Sequence, residues 1–291
     1  MPPISPRANF TISLPGRAPL QLGARTLVMG VLNITPDSFS DGGLTLNPDA
    51  AVNRGLELEA AGADLLDLGA ESTRPGAHPV SAEDEWKRLL PVVRRLVGSV
   101  RVPLSVDTYK AEVARRAIDS GATIINDISG LRYDAGLAGV VASAGAALIV
   151  MHTRGRSRDM YGEARYEDVV AETCRELQWS LDRAAAAGVD ANQLIVDPGL
   201  GFAKHASHSL AMLANLDRLS GLGRPLLVGP SRKSFLTAAT GPLAPQERDW
   251  ATVAAVAVAV LAGAHFVRVH HVAGVVQAVR VADAVRAAAG R

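Results

Sequence analysis

Residues 102–152 read VPLSVDTYKAEVARRAIDSGATIINDISGLRYDAGLAGVVASAGAALIVMH. Three short apolar runs, Leu104–Val106, Thr123–Ile125 and Ala146–Val150, alternate here with helical stretches at Lys110–Asp119 and residues 134–144. Ser120-Gly121 ends the first of those helices. Strands this short and this uniformly apolar suit a parallel sheet covered by helices, because such strands are buried on both faces. Strand, helix and strand in succession define right-handed βα crossovers.

The same alternation extends in both directions. Upstream lie a strand at Leu27–Leu32, a helix at Asp49–Ala61 closed by Gly62, a strand at Asp64–Leu68 and a helix at Ala82–Val97. Ser81, with Asp84 three residues on, gives that last helix a capping-box-like start. Downstream come the helix Tyr166–Ala187 stopped by Gly188, strand Leu194–Val196, a helix near Ser209–Leu219 and strand Leu226–Val228. Helical residues 231–239 and 247–262, strand His265–Val269 and a helix to Ala289 complete the chain. Eight strands alternating with helical regions over 291 residues predict an α/β fold, a single (β/α)8 TIM barrel. A doubly wound open sheet would carry a Gly-rich nucleotide loop after its first strand, and MGVLNITPDS at 29–38 is not one. Residues 1–26 form a short N-terminal extension, in which ISLPGRAPLQL (12–22) reads as a hairpin capping the barrel bottom, and residues 27–291 form the barrel.

Composition excludes several partners. Lys plus Arg is 30 and Asp plus Glu is 29, so a formal charge of +1 gives no reason to expect nucleic acid or an anionic membrane. An anion must be bound by local geometry. Hydrophobic residues make up 48% of the chain, ample for one core. The lone cysteine, Cys174, allows no intrachain disulfide, which fits a reducing cytoplasm. MPPISPRANF lacks the apolar stretch of a secretory signal, and the longest apolar run, Ala251–Ala264, is too short to span a bilayer. A soluble cytoplasmic protein is expected.

In (β/α)8 barrels chemistry gathers at the C-terminal ends of the strands. Every strand here delivers a polar group to that rim: Asn33; Glu71, Ser72, Thr73 and Arg74; Asp107; Asn126-Asp127; His152; Asp197; Ser231, Arg232, Lys233 and Ser234; and Arg268 with His270. Ordinary loop polarity explains any one of these, but not their convergence on one rim. Arg268 and His270 are two apart on a strand and so face the same side. Arginine forks suit phosphate oxygens. Asn33 offers a neutral oxygen to a hard cation such as Mg2+. Asp107, Asn126 and Asp197 suit the donor edge of a heterocycle, since a buried carboxylate needs donors. The residues by themselves reach a phosphorylated, nitrogen-rich small molecule. His152 reads equally well as a packing residue and Asp127 as the cap of its own turn, whereas a merely solvated charge is the minor reading of Arg232 beside Lys233.

MGVLNITPDSFSDGG (29–43), GAESTRPGA (69–77), SVDTYK (105–110), INDISGLRYD (125–134), DPGLGFAK (197–204), GPSRKSF (229–235) and VRVHHV (267–272) together resemble the dihydropteroate synthases, in that family's order. The resemblance implies a homodimeric enzyme that joins a pterin diphosphate to p-aminobenzoate with Mg2+ as cofactor. It assigns the pterin to Asp107, Asn126, Asp197 and Lys233, and the diphosphate to Asn33, Arg74, Arg268 and His270, with Asn33 at the metal. It assigns p-aminobenzoate to Phe39, Thr73, Arg74, Pro75, Phe202, Lys204 and Ser234. Asp107, Lys233 and Arg268 would be catalytic. One departure stands out: His271 occupies the position where the family's last motif usually has Asp. Two rivals remain: a methyltransferase on a pterin-binding barrel, which would not need Asn33, Arg268 and His270, and a non-enzymatic paralogue, which would be expected to lose Thr73 and Arg74.

Overall fold

The computed structural model describes residues 4–35, 47–73 and 76–289. Phe39, Arg74 and Pro75, expected at the arylamine pocket, therefore lie outside the described residues. A hairpin comes first, β1 (Phe10–Leu14) antiparallel to β2 (Arg17–Leu22). Then follow β3 (Leu27–Asn33), α1 (Pro48–Ala60), β4 (Leu65–Gly69), α2 (Ala82–Ser99), β5 (Leu104–Asp107), α3 (Ala111–Asp119), β6 (Ile124–Asp127), α4 (Leu137–Ala144) and β7 (Ala147–Met151). The chain continues through α5 (Val169–Ala186), β8 (Leu194–Asp197), α6 (Ala206–Ala214), β9 (Leu227–Val228), α7 (Thr237–Thr240), α8 (Asp249–Leu261), β10 (Phe266–Val269) and α9 (Val272–Ala289).

Strands β3 to β10 form one parallel sheet in the order β8-β7-β6-β5-β4-β3-β10-β9. A parallel bridge between Val196 and Leu226, with the Val196 N–H donating to Pro225 O at 3.0 Å, joins its two ends. The result is the (β/α)8 barrel that the alternation predicts.

Strand parity then separates the two cores. Val28, Leu66, Leu104, Ile125, Leu148, Val196 and Val267 face outward into the large cluster shared with the helices. Met29, Leu65, Ile124, Ile149, Ile195, Leu227 and Phe266 face inward and pack with Ile12, Leu14 and Leu22 of the hairpin. The hairpin thus plugs the N-terminal mouth with apolar side chains. Side chains two residues further along a strand return to the same face. Two residues beyond Leu65, Ile124, Ile195 and Phe266 stand Asp67, Asn126, Asp197 and Arg268. The barrel interior is therefore apolar at the bottom and ionic at the top, and that step positions the site.

Helix boundaries differ from the periodicity where side chains cap. Asp168 accepts from Val170 N and Ala171 N, so α5 starts at Val169 rather than Tyr166. Asp134 spends its carboxylate on Ala111 N and Gly136 N, which delays α4 to Leu137. Ser81 accepts from Asp84 N and opens α2 as expected. The helical residues expected at 231–239 shrink to a 3-10 turn at Ser234–Leu236 and the one-turn α7. Among the described residues, no helix is long and apolar enough to cross a membrane.

Candidate active site

Arg268, on β10, lies across the top of the barrel between two carboxylates. Its Nε donates to Asp67 Oδ2 at 2.6 Å and its Nη2 to Asp107 Oδ2 at 2.8 Å. Asp67 is fully buried and also accepts from Ser105 Oγ at 2.6 Å and Asn126 Nδ2 at 3.0 Å. Four strands are tied by this one carboxylate. Such a charge is tolerable in a barrel interior only because its lone pairs are filled by an ionic and two neutral donors. Burial lowers the basicity of Arg268, but Asp67 and Asp107 outweigh it and keep the guanidinium charged. Burial pushes the Asp107 carboxyl upward; Arg268 opposes that shift and Asp67 reinforces it.

Across the mouth, Asp197 ends β8. Its Oδ1 accepts the Gly199 N–H at 2.7 Å, and burial raises its carboxyl to about 6 against that bond and the pull of Lys233 and Arg268. Gly229 separates the two walls: a Cβ there would stand 3.8 Å from Arg268 Cβ and 3.9 Å from Asp197 Oδ2. Lys233 Nζ sits 3.7 Å from the centre of the Phe202 ring, a cation–π contact. Burial, helped by the neighbouring Arg268, lowers its ammonium to about 8.

His270 and Asn33 occupy the edge beside Arg268. The Ser231 Oγ accepts the His270 backbone N–H at 3.1 Å and lies 2.8 Å from His270 Nδ1. Asn33 Nδ2 lies 3.4 Å from His270 Nε2 and can only donate to it, so the ring proton falls on Nδ1, which donates to Ser231 Oγ. Burial, then Arg268, Arg232 and Lys233, push His270 down to about 3, so the ring is neutral at pH 7.

Asn33, Asp107, Asn126, Asp197, Lys233, Arg268, His270 and Phe202 are thus brought together at one mouth. Thr73 is half-buried and Ser234 exposed at the start of its 3-10 turn. Lys204, expected at the arylamine wall, points into the protein. It is 1% exposed, and its ammonium is turned inward, 2.7 Å from His152 Nδ1. Arg232 is not a solvated charge: its guanidinium forks onto Asp249 at 2.7 and 2.8 Å. Asp127 accepts from Ser129 N and Leu131 N and caps its own turn. Glu71 pairs with Lys110 and accepts from Tyr109 Oη at 2.9 Å, beneath the second loop.

Asp67 and Ser105 were missed because attention fell on strand ends. A signal was present: in LLDLG, Asp67 interrupts a strand whose other side chains are leucines, and its parity aims it inward.

Fold and site together define a (β/α)8 barrel protein with buried carboxyl and cationic groups gathered at its C-terminal mouth. The chain belongs to the pterin binding enzyme family, whose model matches residues 29–270. It is 47% identical over 263 residues to the dihydropteroate synthase of Mycobacterium leprae, covering 88% of this chain and 92% of that one. It is similar to the Xanthomonas albilineans dihydropteroate synthase solved with 4-aminobenzoic acid, at 45% identity and TM-score 0.88, over 97% of this chain and 99% of that one. The same enzyme in complex with 7,8-dihydropteroate matches at 42% identity and TM-score 0.84, covering 94% and 99%.

Proposed function

We propose that this site carries out the dihydropteroate synthase reaction, condensing 6-hydroxymethyl-7,8-dihydropterin diphosphate with p-aminobenzoate to give 7,8-dihydropteroate and diphosphate. The observation that carries the reading is Arg268 held between Asp67 and Asp107 at the barrel mouth, facing Asp197 and Lys233. Carboxylates and an amide for ring N–H groups stand there beside cations for a leaving anion. The named relatives support the same transferase activity.

Asp107, Asn126, Asp197 and Lys233 read the pterin. Arg268, His270, Asn33 and Arg74 take the diphosphate. Phe202, Thr73 and Ser234, with Phe39, Arg74 and Pro75, enclose p-aminobenzoate, and Lys204 underlies that wall. The C–O bond to the diphosphate breaks with its electron pair leaving on oxygen, the arylamine lone pair closes the new C–N bond, and the proton that nitrogen then sheds passes to the released diphosphate or to solvent. An aniline nitrogen is neutral at pH 7 and needs no strong base. The barrier lies in ionisation, so Asp107 acts by stabilising positive charge on the pterin, and Arg268 by stabilising the departing anion.

Among the described residues, no cluster of three or more His, Cys, Asp or Glu side chains that could hold a metal is present. The neutral amide of Asn33, beside His270, nevertheless fits Mg2+ that arrives on diphosphate and keeps most of its waters. When bound, Mg2+ supplies charge neutralisation for the leaving group. Asn33 would hold it.

A cytoplasmic homodimer completes the reading. Trp250 is 80% exposed on α8, and Val281 and Val285 are exposed on the neighbouring α9, an apolar surface suited to a second copy.

Three expectations follow for substrate handling. Sulfonamides, which mimic p-aminobenzoate, raise its KM without lowering kcat in steady-state assays; purely non-competitive inhibition would count against a shared pocket. Arg268→Ala weakens pterin diphosphate far more than free pterin in calorimetric titrations, and equal losses would remove the diphosphate assignment. Asp197 sets the third. With its carboxyl raised to about 6, the accepting carboxylate dominates above that pH and is lost below it. Asp197 therefore makes the KM for pterin diphosphate rise as pH falls through about 6, below the range near 7 in which Asp107 titrates. Asp197→Asn abolishes that dependence. A pH profile unchanged in the variant would assign the titration to the substrate instead.

A further inference from the structure

Lys204 is among the largest fully buried side chains of the described residues; burial pulls its ammonium down to about 7, and a charge kept there needs every proton placed. Its Nζ reaches three acceptors: His152 Nδ1 at 2.7 Å, Gly199 O at 3.3 Å and Phe202 O at 3.3 Å. An ammonium only donates, so His152 Nδ1 carries the lone pair and the ring proton sits on Nε2. That Nε2 lies 3.2 Å from Glu176 Oε2 on α5, and so donates to it. Glu176 is fixed in turn by Arg154 and Arg132. Burial, reinforced by the adjacent Lys204, depresses His152 to about 3 and keeps the ring neutral.

The two carbonyls that Lys204 grips belong to the loop after β8. Gly199 is also the residue whose N–H fixes the Asp197 carboxylate. Phe202 is also the residue whose ring carries Lys233 Nζ. Between and beside them the backbone is unusual: Gly199, Gly201 and Ala203 all have positive φ, at 66°, 78° and 46°. For Ala203 this conformation is unfavourable and must be held from outside. Tyr166 Oη, donating to Ala203 O at 2.9 Å, adds a second tie. A Cβ at Gly199 would fall 2.0 Å from His152 O, so the loop is pressed directly onto the end of β7.

We infer that Lys204 and His152 form a positioning clamp for substrate binding: the buried ammonium hangs the 199–204 loop from the His152 ring, and thereby aims Asp197 at the pterin and Phe202 at the arylamine. This rests on the pterin and p-aminobenzoate reading above. Lys204 touches no substrate; it acts through Gly199 and Phe202. The clamp lies on the opposite wall from Arg268, Asp67 and Asp107, so the bond-breaking groups stay in register when it is removed.

The test is steady-state kinetics on four variants, with folding checked by circular dichroism. Lys204→Met raises the KM of both substrates by about ten-fold or more while kcat stays within about three-fold, the pattern of lost uniform binding. His152→Leu does the same, and the double variant is no worse than either single one, because both remove one device. His152→Gln keeps near-normal KM values, since its amide oxygen can accept from the ammonium. If Lys204→Met does not fold, the contrast between His152→Leu and His152→Gln decides. Unchanged KM values in folded Lys204→Met, a loss confined to kcat, or equal damage from His152→Leu and His152→Gln would each overturn the clamp. Wild-type protein that forms no dihydropteroate would instead overturn the functional reading beneath it.

Discussion

Asp107→Asn is expected to leave the fold and the thermal transition near those of the parent and to cut turnover by about a hundred-fold or more. The substitution keeps the shape of the side chain and an oxygen able to accept from Arg268 Nη2, now 2.8 Å away. What it removes is a negative charge beside the place where the pterin becomes positive. Interactions that strengthen only as charge develops act on kcat rather than on substrate affinity. Burial raises the Asp107 carboxyl to about 7 against the pull of Arg268, so its charge is fully present only above that pH. A carboxylate retained under those conditions is suited to a task that a neutral amide cannot perform. Rates like those of the parent in Asp107→Asn, measured at saturating concentrations of both substrates, would remove the charge-stabilising role.

The second large effect belongs to Asp67. Asp67→Ala withdraws one fully buried acceptor from Arg268, Ser105 and Asn126 together. Removing one partner of a buried ion pair costs about 3–5 kcal/mol, because the remaining charge is left uncompensated. The loss should register as a lowered urea midpoint. It should also register as weak binding of pterin diphosphate, since Arg268 and Asn126 both lose their anchor. Asp67→Asn separates the two effects: it still accepts from one donor, so stability recovers in part while Arg268 remains short of a countercharge. A urea midpoint and a KM both at parental values in Asp67→Ala would mean that the three donors are held by the barrel without it.

Much of the frame was legible in residue order. Short apolar runs alternating with helical stretches require a covered parallel sheet, and a chain of this length closes it. The ring of polar groups also followed from the order, because a side chain at a strand's C-terminal end has only the barrel mouth to occupy. Asp107, Asn126, Asp197 and Arg268 were found in that way. Asp67 escaped because it stands one step deeper, where parity and not position reveals it. Helix lengths were harder. Asp168 and Asp134 shorten α5 and α4 by capturing backbone N–H groups, a choice that hydrophobic periodicity does not record. The inward turn of Lys204 is not legible in the sequence for a physical reason: a lysine in a loop motif ordinarily faces solvent or ligand, and only three acceptors in space reveal it. Likewise Arg232 depends on Asp249, 17 residues away, for the fork that holds it. The position of His271, 3.9 Å from the same Asp249, ties the unusual last motif to that arginine.

The most direct measurement mixes the purified protein with 6-hydroxymethyl-7,8-dihydropterin diphosphate, p-aminobenzoate and Mg2+, and follows diphosphate alongside dihydropteroate. The expected result is one diphosphate released for each dihydropteroate formed, with product absent when either substrate is left out. Binding of both substrates without condensation, or failure to bind the pterin diphosphate at the mouth where Arg268 meets Asp107, would contradict it.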